Sequence, residues 1–161
     1  VAAGILAYMP YYTITSASGK LVKKELPIYC VGTEEKKVAL SFDAAWGNED
    51  TQTLLDILAA YDVHVTFFMT GGWIESYPDD VDSLDWKDYG ADNIVSTVLN
   101  HKNLDNGAII LMHNGARYTK DALERVIVGL MEQGYTIVPI SELIITDNYT
   151  IDHTGKQIAD R

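Results

Sequence analysis

The sequence predicts an α/β protein built on a short parallel sheet. Three observations carry that expectation. Apolar runs of strand length recur at Val38–Phe42, Val63–Met69 and Ala108–Met112. Stretches with helical spacing of apolar residues follow two of them, most clearly Thr51–Tyr61 and Lys120–Gln133. The first two runs are joined through a helix, which is the connection that parallel strands require.

The 161 residues suffice for one domain with a real core. Twelve Lys and Arg stand against 23 Asp and Glu, a formal charge of −11. The pI near 4.6 excludes phosphate-driven nucleic-acid binding and adhesion to anionic membranes, both of which need clustered positive charge. A neutral or cationic partner fits better. The single cysteine, Cys30, rules out an intramolecular disulfide and a Cys-based zinc cluster. Its flanks, Pro-Ile-Tyr-Cys-Val, read as an apolar extended run around a buried structural thiol. No run reaches the roughly 18 apolar residues of a spanning helix. The opening VAAGILAYMPYY is apolar but interrupted by Pro10, and reads either as the tail of a signal or anchor segment or as an element packed on the core.

Residues 1–36 read as this apolar segment followed by a polar linker or arm, with an extended island at Leu26–Val31. The domain is expected over 37–146, and 147–161 as a polar exposed tail. Within the domain, VALSF forms a buried strand that ends on Asp43 and enters the loop AAWGNED. Asn48, Glu49 and Asp50 are placed to cap the helix over Thr51–Tyr61. VHVTFFM then makes the second, parallel strand. Ser76-Tyr-Pro-Asp-Asp-Val81 carries helix-start signals, yet the chain reads DSLDW, another strand end, directly afterwards. A parallel crossover takes about ten to twelve residues or more, so the domain is internally abbreviated near 81–82. A weak helix over Asp92–Leu99 precedes the strand AIILM, which ends on His113. The amphipathic helix Lys120–Gln133 closes at Gly134, and a last strand from Thr136–Val138 runs into PISELI.

In α/β folds the chemistry sits at the carboxyl ends of parallel strands. Asp43 and His113 both end strands, and a carboxylate with an imidazole on one rim can act as general base and general acid. The alternative is a loop cap and a turn hydrogen bond. His64, His101, His113 and His153 contain no pair at metal-ligand spacing. His64 reads as a structural strand side chain, and His101 and His153 as solvated. Trp46 and Trp86 fall just past strand ends on the same rim, where indoles can stack on a sugar face or simply pack a loop. No phosphate-cradling glycine loop and no GxSxG elbow is present.

Three stretches, VALSFDAAWGNEDT, DSLDWKDYG and GAIILMHNG, resemble the motifs of the polysaccharide deacetylase family. This is the NodB homology domain, carbohydrate esterase family 4, and the likeness is greatest to its sporulation-associated bacterial members. The resemblance implies a truncated NodB-type distorted (β/α) barrel of about four βα units, with an open parallel sheet as the form the remaining strands can take. It implies hydrolysis of N-acetyl groups on GlcNAc or MurNAc polymers such as peptidoglycan or chitin. Asp43 matches the catalytic base and His113 the catalytic acid. Leu111 and Trp86 match residues lining the acetyl pocket, and Asp85 the orienting carboxylate. A divalent metal, zinc or cobalt, and a site outside the cytoplasm at the envelope or forespore surface come with the family. Here Ala44 stands where the family usually has a metal-binding Asp, and the paired-His and Arg-Pro-Tyr motifs are missing. The alternatives are a non-catalytic glycan-binding descendant or an inactive deletion variant. An open sheet edge also admits a homo-oligomer.

Overall fold

A computed structural model describes residues 26–44, 48–69 and 90–160. The elements in chain order are β1 (Cys30–Val31), β2 (Lys37–Ala44), α1 (Thr51–Ala60), β3 (Thr66–Met69), α2 (Ala91–Leu99), β4 (Ile109–His113), α3 (Thr119–Glu132), β5 (Thr136–Val138), α4 (Ile140–Leu143), β6 (Tyr149–Ile151) and β7 (Lys156–Ala159).

Strand β2 is the axis of the molecule. It pairs in parallel with β4 over Ala39–Asp43, with β5 over Lys37–Ala39 and with β3 over Ser41–Ala44. The overlap with β4 leaves β5 and β3 one after the other along the opposite edge of β2. The parallel sheet expected from the sequence is therefore present, and among the described residues no closed barrel forms.

The two faces of β2 have different fates, as period-two alternation requires. Val38, Leu40 and Phe42 turn to the helices and pack with Leu54 and Leu58 of α1 and with Leu123, Val126, Ile127 and Leu130 of α3. Phe42 stacks on Phe67 of β3, ring centroids 5.2 Å apart. Each fully buried side chain of this kind contributes about 1.5–3 kcal/mol of transfer free energy, so this layer supplies most of the hydrophobic stabilisation. Helix α2 packs on α3, where Gly129 makes room for Leu99: a Cβ at Gly129 would lie 2.3 Å from a Leu99 methyl. Gln133 caps the end of α2 by donating from Nε2 to the Leu99 carbonyl at 3.1 Å.

The other face of β2 begins with Ala39, which joins Val31, Val138 and Leu143 in a second core, with Ile28, Ile109 and Ile140 packed against it. Gly107 lets β1 come close over β4. Its φ is +81°, and a Cβ there would lie 1.9 Å from the Val31 carbonyl oxygen, a conformation open at little cost only to glycine.

Three expectations are corrected. PISELI does not continue the last strand: Pro139 is extended, with ψ 154°, and Ile140–Leu143 turn into helix α4. The segment after Thr146 is not merely an exposed tail. Strands β6 and β7 form an antiparallel hairpin, and β7 adds β1 in parallel. Gln157 is fully buried, accepting from the Ile145 N–H at 2.8 Å and donating to its carbonyl at 2.6 Å. His64 is exposed and precedes β3 rather than serving as a structural strand residue. Cys30 is half-buried and lines a cavity of about 590 Å³ with Tyr29, Val98, His101 and Leu111. The abbreviated crossover near 81–82 lies outside the described residues.

Candidate active site

The register of the sheet places the site. Asp43 is the cross-strand partner of His113, and both are the polar ends of otherwise apolar strands. Parallel neighbours are about 4.8 Å apart, so the carboxylate and the imidazole leave adjacent backbone positions on one face. Each is partly exposed. That face is layered. Its base is the apolar plug of Ala39, Ile109 and Val138. Above lie Ser41, Leu111 and Thr66, aligned by register. The top row is Phe68, Asp43 and His113.

The middle layer is pinned by hydrogen bonds. The buried Ser41 hydroxyl donates to the Ile110 carbonyl at 3.1 Å. Thr66 Oγ1 accepts from the Ile140 N–H at 3.0 Å, tying β3 to α4. Leu111 is 51% exposed on this face, so the residue matched to an acetyl pocket presents apolar surface one row below the pair.

Two side-chain contacts tie together the segments that follow Asp43 and His113. Asn114 is fully buried and donates from Nδ2 to the Thr51 hydroxyl at 3.1 Å. Its backbone N–H also points at the Asp43 carbonyl, 3.4 Å away. Lys120, in the first turn of α3, pairs with Asp50 at 2.5 Å. Asp50 sits at the N-cap of α1, but its side chain makes no cap hydrogen bond and turns to Lys120 instead. That hydrogen bond and the carboxylate charge raise the Lys120 ammonium above its ordinary value. The sequence pointed to Asp50 as a cap. It gave no sign of the Thr51–Asn114 link, which joins residues far apart in the chain.

Of the predicted site residues, Asp43, His113 and Leu111 share one face. Trp46, Trp86 and Asp85 lie outside the described residues. Phe68 was read only as a strand residue, and its place beside Asp43 becomes legible once the β2–β3 register is known.

Among the described residues, the donor set does not suit the expected metal. All four histidines of the chain are among the described residues, and among the described residues no three His, Cys, Asp or Glu side chains gather as ligands. Ala44, beside the candidate base, is buried and offers no donor.

The fold is an α/β protein whose parallel sheet brings a carboxylate and an imidazole together at its carboxyl rim, the end where such folds carry their functional residues. The chain belongs to the polysaccharide deacetylase family, whose profile matches residues 31–129. It is 41% identical over 64 residues to the peptidoglycan-N-acetylmuramic acid deacetylase PdaC of Bacillus subtilis, a stretch that is 40% of this chain and 13% of that protein. It is 38% identical over 66 residues to a peptidoglycan-N-acetylglucosamine deacetylase of Bacillus cereus, covering 39% of this chain and 30% of that one. The matched stretch is thus less than a third of either relative. Among solved structures, the fold resembles a family pseudoenzyme from Bacillus anthracis, with TM-score 0.62 and 22% identity over 73% of this chain and 68% of that chain.

Proposed function

We propose that this chain recognises N-acetylated glycan of the peptidoglycan or chitin type on the Asp43–His113 rim, keeping the acid–base pair of an N-deacetylase without its metal centre. The observation that carries this reading is the Asp43–His113 register. The relatives named as peptidoglycan deacetylases support this substrate class, and a protein that acts on such a polymer would stand at the cell envelope, outside the cytoplasm.

The pair matches the two proton transfers of amide hydrolysis. Asp43 would take a proton from water as the water oxygen attacks the acetyl carbonyl. His113 would protonate the amine nitrogen as the carbon–nitrogen bond breaks, releasing acetate and leaving a free amine on the sugar. General acid–base catalysis contributes about 10²–10⁴-fold, whereas enzymes typically reach about 10⁶–10¹⁷-fold. Without an electrophile to stabilise the developing oxyanion, the pair leaves most of that acceleration unsupplied. Binding therefore outlasts turnover in this reading.

The test is calorimetric titration with tetra-N-acetylchitotetraose, beside a zinc titration of the same protein. Saturable glycan binding without stoichiometric zinc uptake is expected. One equivalent of zinc bound, with acetate release that a chelator abolishes, would instead support the second reading, a metal-dependent deacetylase, which the retained pair favours. Absence of glycan binding by well-folded protein would overturn both.

A further inference from the structure

We propose that Phe68 is the platform on which the glycan's pyranose ring stacks beside Asp43, an inference that rests on the glycan reading above. Three observations place it. Phe68 is the cross-strand partner of Asp43 on the edge opposite His113, so one transverse row reads Phe68, Asp43, His113. The preceding residue, Phe67, pairs with Phe42 and stacks on its ring on the helix side of the sheet. Alternation then sends Phe68 to the other face, the one that carries Asp43. Finally, Phe68 remains 49% exposed, and Leu111, 51% exposed, lies on the same face under His113 at the far end of the row below.

A phenylalanine at a sheet position ordinarily buries most of its surface in a core. Here Phe67 does that work and Phe68 presents an apolar surface to solvent, with the Asp43 carboxylate beside it and the His113 imidazole one strand further along the row. A pyranose has the complementary character: an apolar C–H face and a polar rim of hydroxyl and acetamido groups. Phe68 lies one strand spacing, about 4.8 Å, from Asp43, and His113 one spacing further. A ring seated on Phe68 therefore directs its acetamido group along the row toward the acid–base pair. The sequence offers this ring in addition to Trp86, matched by the family motif, and Trp46, read on the same rim, and no motif singled it out.

The experiment is the tetra-N-acetylchitotetraose titration on wild type, Phe68→Tyr, Phe68→Leu and Phe68→Ala, each checked by near-ultraviolet circular dichroism. Phe68→Tyr should bind within about twofold of wild type, because it keeps the ring. Phe68→Leu should bind about fivefold more weakly and Phe68→Ala about tenfold, a loss of the size expected for one aromatic stack. Equal affinity of Phe68→Leu and Phe68→Tyr would overturn the platform, and that comparison decides the matter even if Phe68→Ala folds poorly. Wild-type binding with unaltered Phe68→Ala affinity overturns the platform and leaves the glycan reading standing. No binding by wild type overturns both.

Discussion

Replacing Thr51 by Val tests whether the two rim loops are held together as described. The substitution keeps the shape of the side chain and removes its hydroxyl, which accepts from Asn114 Nδ2 at 3.1 Å. Thr51 is 3% exposed and Asn114 is 0% exposed, so water cannot take the hydroxyl's place without opening the loops. Removing one partner of a buried hydrogen bond costs about 1–3 kcal/mol. For a chain of this length, each kcal/mol shifts the thermal midpoint by about 2–4 °C. A mid-range cost of about 2 kcal/mol therefore lowers the midpoint by roughly 4–8 °C. In urea, with an m-value of about 2 kcal/mol/M, the same loss moves the transition down by about 1 M. Thr51→Ser keeps the hydroxyl and should lose less than half as much. Thermal and urea unfolding followed by circular dichroism measure both variants. A midpoint shift of Thr51→Val below about 1 °C, or one no larger than that of Thr51→Ser, would refute the reasoning.

Three other perturbations address the fold. Phe42→Ala empties a fully buried site and ends the stack on Phe67. It should cost about 4–6 kcal/mol in urea unfolding, much of a domain's total stability. Gly107→Ala forces an L side chain to φ +81° and against the Val31 carbonyl. The backbone strain alone costs about 1–3 kcal/mol, to be read as a lowered urea midpoint. Asp152 holds the turn between β6 and β7: it accepts from the Thr154 hydroxyl at 2.6 Å, the Thr154 N–H at 2.7 Å and the Lys156 N–H at 3.0 Å. These bonds, the hydroxyl first, lower its carboxyl from 3.8 to about 2. Because the folded value is depressed, the turn's contribution is present above the unfolded value and is lost as pH falls through the folded one. The amide resonances of Thr154 and Lys156 should accordingly move with a midpoint near 2, and a midpoint at the ordinary value of 3.8 would contradict the turn.

Much of the sheet was legible because local chemistry and global placement agree. VALSF is a continuous apolar run that ends on a carboxylate, and AIILM ends on an imidazole; both mark buried strands whose polar ends reach the rim. Helix α3 was legible from its spacing and from the closing Gly134, whose φ is +85°. What sequence could not give was pairing. The order of partners along β2, with β5 then β3 on one edge, depends on contacts across most of the chain. Phe68 and the Thr51–Asn114 link become visible only with that register. The hairpin Tyr149–Ala159 was missed because its strands are short and polar. It is held by Gln157, whose buried amide pairs with Ile145, a partner that no periodicity indicates. PISELI misled because a short apolar run after proline suits strand and helix equally; the extended Pro139 followed by Ile140 at the first helical position decides for helix.

The most direct test of the central claim is acetate release from N-acetylglucosamine oligomers, with zinc or cobalt added and then with chelator. The account predicts that wild type releases no more acetate than Asp43→Asn or His113→Ala, with or without metal, while still binding the oligomer. Metal-dependent release that the chelator and either substitution abolish would contradict it. The rim would then hold a complete deacetylase centre rather than its acid–base half.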